Sequence, residues 1–141
     1  IEPILQISNI NIPKLVSNEL NIDIDLLKNG EIATLFKLDC EWLNKLIKVK
    51  DIKSLENVIK IIPVSIKSEL EKLLLKAKEV DYGNIIIAPL YYGALRYYDG
   101  IYYRVINDNL TLCNGGVYSS EGISSLGFAL YTDNLLKILE D

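Results

Sequence analysis

The sequence predicts an α+β fold: an antiparallel β-sheet flanked by helices, interrupted near its start by a helical insertion. Three observations carry this expectation. All nine tyrosines lie in 82–131 and none precedes them, and aromatic residues favour the half-buried, pleated surface of a strand. Residues 12–80 show short segments with helical apolar spacing, clearest in 64–80. From residue 84 onward the apolar residues fall into short runs broken by Pro, Gly and Asn, which is the pattern of strands and turns.

Taken in order, EPILQIS (2–8) is short and alternating enough to be a strand. IPKLVSNEL follows as a helix, with Pro13 in its first turn and Asn21 as its stop. DIDLLKNG (23–30) reads as a short helix closed by Asn29 and Gly30. Residues 31–38 and 39–49 read as further helices, with Asp39 as an N-cap candidate. Residues 51–61 give another, closed by Pro63. In 64–80, Ile66, Leu70, Leu73, Leu74, Ala77 and Val80 share one face, with Lys and Glu opposite. NIIIAPL (84–90) and GIYYRVI (100–106) then read as strands, NDN (107–109) as a turn, and LTLCN (110–114) as the antiparallel return. GGVYSSEGISS (115–125) reads as a Gly/Ser-rich loop, LGFALY (126–131) as a last strand, and 132–141 as a closing helix with Thr132 as N-cap candidate. The whole chain, 1–141, is expected to form a single unit: strand 2–8, helical insertion about 12–80, sheet and closing helix about 84–141.

Composition narrows the function. Half of the residues are apolar, which suits a folded core. The formal net charge of −4 argues against general nucleic-acid binding, which relies on cations neutralising phosphates. There is no His, the commonest general base and metal ligand. Cys40 and Cys113 stand far apart and read as reduced thiols, which with the lack of a signal-peptide pattern or membrane-length apolar run suggests a cytoplasmic protein. The chain contains no Met, which suggests a piece of a longer protein.

No carboxylate pair, metal cluster, phosphate loop or nucleophile motif is visible, so residue chemistry alone yields no catalytic residue, metal or cofactor. Two features stay open. Gly115-Gly116 suits either a bulge or close approach of backbone to a ligand. The stretch ALRYYDGIYYRVIND (94–108) holds four tyrosines and both arginines, Arg96 and Arg104. Its Tyr-Tyr pairs suit either strand packing or a pocket wall. Tyr102 and Tyr103 fall on one strand, so at most one of them shares a given face.

The order of these features resembles the C-terminal half of the catalytic fold of histidyl-tRNA synthetases and their relatives, a class II aminoacyl-tRNA synthetase fold. That family reads RGLDYYTGIVFE, GGRYD and TGFALGLERLL; the corresponding stretches are GALRYYDGIYYR (93–104), GGVYS (115–119) and SLGFALYTDNLL (125–136). The opening PILQISNINIPKLV is similar to the family strand that leads into its inserted helices. The resemblance implies a histidine pocket whose amino-acid side survives in Tyr97, Tyr98, Gly100, Gly115, Gly116 and Tyr118.

Three departures from the family pattern remove its motif arginines. The arginines of its three motifs align with Gly93, Val117 and Asn134. The Glu that ends the family strand aligns with Arg104, and the Asp that directly precedes the family's Tyr pair with Arg96. Stabilising phosphate charge needs guanidinium forks or metal, so the resemblance implies no aminoacylation and no tRNA partner. It implies instead a pseudo-synthetase like the regulatory subunit of ATP phosphoribosyltransferase, a non-catalytic partner of the short-form catalytic subunit in histidine biosynthesis and its feedback control. The alternative is another catalytically dead relative that binds an amino acid or a nucleotide. Histidine is the ligand the resemblance suggests, with weak or no binding expected because its acidic and amide partners lie in the family's N-terminal half. An exposed sheet edge also invites self-association.

Overall fold

In a computed structural model the described residues are 2–92, 100–120 and 123–140, of which 117–120, 123–128 and 140 are described by their backbone alone. Five strands form one sheet in the order β2-β1-β3-β4-β5, where β1 is Ile4–Asn9, β2 Ile85–Ile87, β3 Ile101–Asn107, β4 Leu110–Ser120 and β5 Ile123–Leu130. The sheet is antiparallel except for β1 and β2, which run parallel with Leu5 opposite Ile85 and Ile7 opposite Ile87. The reason is the connection: a parallel neighbour needs a long crossover, and six helices lie between β1 and β2.

Those helices are α1 (Asn11–Leu20), α2 (Asp25–Lys28), α3 (Ile32–Phe36), α4 (Glu41–Ile47), α5 (Ile52–Ile59) and α6 (Val64–Glu79). Local signals account for most of their ends. Asn21 stops α1 in the left-handed conformation at φ 53°, which Asn tolerates well. Gly30, at φ 63°, ends the α2 turn. Asp51 and Ser54 form a reciprocal capping box at the start of α5. Asp39 behaves differently from its expected N-cap role: it takes φ 51° in the turn after α3, and Cys40 precedes α4 without a side-chain cap. The closing helix α7 (Thr132–Glu140) includes Thr132 as its first residue rather than as its cap.

The core lies between the helices and one face of the sheet. Ile66, Leu70, Leu73 and Ala77 of α6 are buried together with Ile7, Ile12, Val16 and Ile87. This is the face that helical periodicity marks, with Leu74 and Val80 at its margin. Cutting one of these leucines to Ala would cost about 2–5 kcal/mol, because a packed site collapses only partly around the void. Leu5, Ile7, Ile101, Tyr103 and Gly116 also line an apolar hollow of about 270 Å³ bordered by Lys76 and Val80 at the end of α6.

Two strand expectations change. Residues 84–90 supply only three strand residues, because Pro89 has no N–H for the ladder, although the Ala88 N–H still donates to the Ile7 carbonyl at 2.9 Å. The expected loop 115–125 is mostly strand: β4 runs through Gly115 and Gly116 to Ser120, and β5 already begins at Ile123. Eight cross-strand pairs, from Cys113–Leu130 to Ser120–Ile123, hold it. That pairing outweighs the weak strand preference of Gly and Ser. The turn between β3 and β4 is as expected, with Asp108 left-handed at φ 53°.

Candidate functional site

The sheet face opposite the helical core carries a row of polar side chains, and strand register assembles it. Alternation sends Leu5 and Ile7 to the core and leaves Gln6 and Ser8 on the other side. Register then places Gln6, Arg104 and Asn114 in one row across β1, β3 and β4, and Ser8, Tyr102, Gly116 and Gly127 in the next across β1, β3, β4 and β5. The first row is polar. The second ends in two glycines, which leaves the sheet floor without side chains there.

The polar groups are connected. Arg104 donates through Nη2 to Gln6 Oε1 at 2.8 Å, and Gln6 Nε2 donates to Ser8 Oγ at 3.4 Å. Asn114 Nδ2 donates to the Tyr131 hydroxyl at 2.8 Å. The Arg104 guanidinium also lies over the Tyr91 ring, 4.3 Å from its centroid, a favourable cation–π contact. Tyr91 is held in turn by the Tyr102 hydroxyl, which donates to its carbonyl at 2.7 Å, and by ring contact with Tyr102 at 6.0 Å between centroids. Ile10 and Tyr102 are buried here as a small second cluster, packed against Tyr91 and Tyr92.

The residues singled out by the resemblance fall into three groups. Gly100, at φ 150°, opens β3, and its carbonyl accepts from the Ile10 N–H at 3.0 Å. Gly116 lies opposite Tyr102 on the polar face. Gly115 lies opposite Tyr103, and a Cβ on it would run into the Tyr103 ring, so its missing side chain makes room on the core side of the sheet. Tyr118 has its backbone in β4, paired with Ser125, and its side chain lies outside the described residues. Tyr97 and Tyr98 lie outside the described residues altogether, as do Gly93 and Arg96.

The two strand tyrosines divide as alternation requires. Tyr102 is 5% exposed and joins the polar face's aromatic cluster, whereas Tyr103 is 38% exposed on the core side. Sequence reasoning missed Gln6, Ser8, Tyr91 and Asn114. The available signal was the alternation of ILQIS, whose polar residues fall on the face away from the helices. Of the positions where the family pattern has arginines, Val117 is described by backbone alone, and Asn134 is engaged through Nδ2 with the Thr111 carbonyl at 2.8 Å.

Among the described residues no group of three His, Cys, Asp or Glu could hold a metal ion, and no helix is long and apolar enough to cross a membrane. Cys40 and Cys113 are both free thiols, and burial pushes the Cys113 thiol up from its ordinary pKa.

No family model matches the chain. It is 36% identical over 137 residues to the ATP phosphoribosyltransferase regulatory subunit of Wolinella succinogenes, a match covering 97% of this chain and 48% of that protein. The chain thus spans about half the length of the curated relatives it matches. Among solved structures it is similar to an ATP phosphoribosyltransferase regulatory subunit/histidyl-tRNA synthetase from Bacillus halodurans, with a TM-score of 0.72 at 16% identity over 99% of this chain and 45% of that one. It is also similar in fold to a chain of the ATP phosphoribosyl transferase (HisG:HisZ) complex from Thermotoga maritima, with a TM-score of 0.57 at 15% identity over 91% of this chain and 53% of that one.

Proposed function

We propose that the chain, which matches about half the length of ATP phosphoribosyltransferase regulatory subunits, belongs with them and acts as a non-catalytic part of that enzyme's regulation. In this reading it joins a short-form catalytic subunit, is needed for its activity, and takes part in feedback inhibition by histidine at the first step of histidine biosynthesis. The observation that carries the reading is the 36% identity extending over 97% of the chain. A second line of support is the loss of guanidinium groups. Gly93, Val117 and Asn134 stand where the synthetase pattern has arginines, and transferred phosphate charge needs such groups or a metal.

The same reading gives the polar sheet face a use. Tyr97, Tyr98, Gly100, Gly116 and Tyr118 would form the remnant of an amino-acid pocket, with Gly115 supporting it from behind by admitting Tyr103. The chain 1–141 would work as one synthetase-like unit, its helices 12–80 bracing the sheet from the opposite face. Co-purification with the short catalytic subunit of the same organism, followed by phosphoribosyltransferase assays with and without this chain, tests the proposal. Association with raised activity is expected. Failure to associate, together with unchanged activity, overturns it.

A further inference from the structure

Arg104 sits half-buried in the middle of the polar face, and among the described residues no charge answers its own. Its described neighbours there, Gln6, Asn114 and Tyr91, are all neutral. The ion pairs among the described residues all use lysines, so none of their carboxylates meets this guanidinium. One of its five N–H donors goes to Gln6. Nε is buried and has no hydrogen-bond partner among the described residues. Leaving a buried N–H donor unsatisfied is costly.

We infer that Arg104 is the receiving cation for an oxyanion, a carboxylate or a phosphate group, carried by a small ligand on this sheet face. The Nε–H and a neighbouring Nη–H form a planar fork that matches two oxygens of such a group. The fork is preorganised: Tyr91 holds its plane from one side and Gln6 pins Nη2. Gly116 and Gly127, paired across β4 and β5 in the next row, carry no side chain that could block the approach of the rest of the ligand. The inference deepens the proposed reading of this face as a ligand site by naming the charge that the ligand carries.

The chain has two arginines, so its labelled form shows two arginine Nε–H resonances, and Arg104→Lys assigns them. The chain is titrated with acetate, inorganic phosphate and L-histidine, with sodium chloride at matched ionic strength as control. The expected result is a saturable movement of the Arg104 resonance with at least one oxyanion and not with chloride. Acetate or histidine moving it assigns a carboxylate, and phosphate alone assigns a phosphate. Affinity for the same probe, followed by backbone resonances, should fall roughly tenfold in Arg104→Lys, as expected for losing a charge-assisted fork. An Arg104 resonance that ignores every oxyanion, or follows chloride equally, overturns the inference. The readout needs no catalytic subunit, so a failed association experiment and a failed titration are separate results.

Discussion

Asn9→Ala probes the joint that fixes the sheet against its helices. Asn9 ends β1 at 0% exposure. Its Oδ1 accepts from the Asn11 N–H at 3.0 Å, which starts α1. Its Nδ2 donates to Glu69 Oε2 at 2.8 Å and to the Glu69 carbonyl at 3.2 Å, both on α6. One side chain therefore ties a strand to two helices. A neutral buried hydrogen bond nets about 1 kcal/mol, one to a charged group about 2, and orphaned partners add to the loss. Allowing for non-additivity, we expect Asn9→Ala to cost about 3 kcal/mol. Urea denaturation at neutral pH measures it as a lower midpoint at unchanged slope.

The same joint has a pH signature. Burial pushes the Glu69 carboxyl up, but the Asn9 amide and Lys72 outweigh it and hold the pKa below the ordinary 4.5. The stability this contributes is therefore present above that ordinary value and is lost as pH falls through the lowered folded value. Asn9→Asp keeps an acceptor for the Asn11 N–H but sets a second carboxylate against Glu69. Like charges raise the pair's pKa, so that variant should gain stability relative to wild type as pH falls from neutral toward about 4. The reasoning fails if Asn9→Ala costs less than about 0.5 kcal/mol, the scale of an ordinary surface change. It fails equally if acidification weakens Asn9→Asp as much as wild type.

Two further outcomes follow from close packing and burial. Gly115→Ala should destabilise by about 1–3 kcal/mol because its Cβ meets the Tyr103 ring; combining it with Tyr103→Ala should recover about 1 kcal/mol or more of that, and strict additivity in the cycle would refute the contact. Cys113, whose thiol is pushed up by burial, should react with a disulfide reagent more slowly in folded Cys40→Ser protein than in the same protein unfolded, since the thiolate is the reacting form; equal rates in the two states would contradict its placement.

The helices were legible because their signals are local. Asn21 and Gly30 mark ends with residues that accept positive φ, and the apolar spacing of α6 names its buried face. The strand region was legible as β but not in its extent. Gly115, Gly116 and the serines after them read as loop, and only pairing with β5 makes them strand. Of the candidate site, the resemblance singled out Gly100 and Gly116, yet no local signal separated Gly115 from Gly116. Their opposite roles depend on whether Tyr103 or Tyr102 lies across the ladder.

By itself the sequence determined the α+β class, the order of the elements and the apolar face of α6. Each of these is set by residue type and spacing along the chain. Only the tertiary structure decided that β2 runs parallel to β1, and that Gln6, Arg104 and Asn114 form one row with Arg104 over the Tyr91 ring. Arg104 and Gln6 stand 98 positions apart. Cross-strand register joins them, and register is a property of paired backbones that no single stretch of sequence contains.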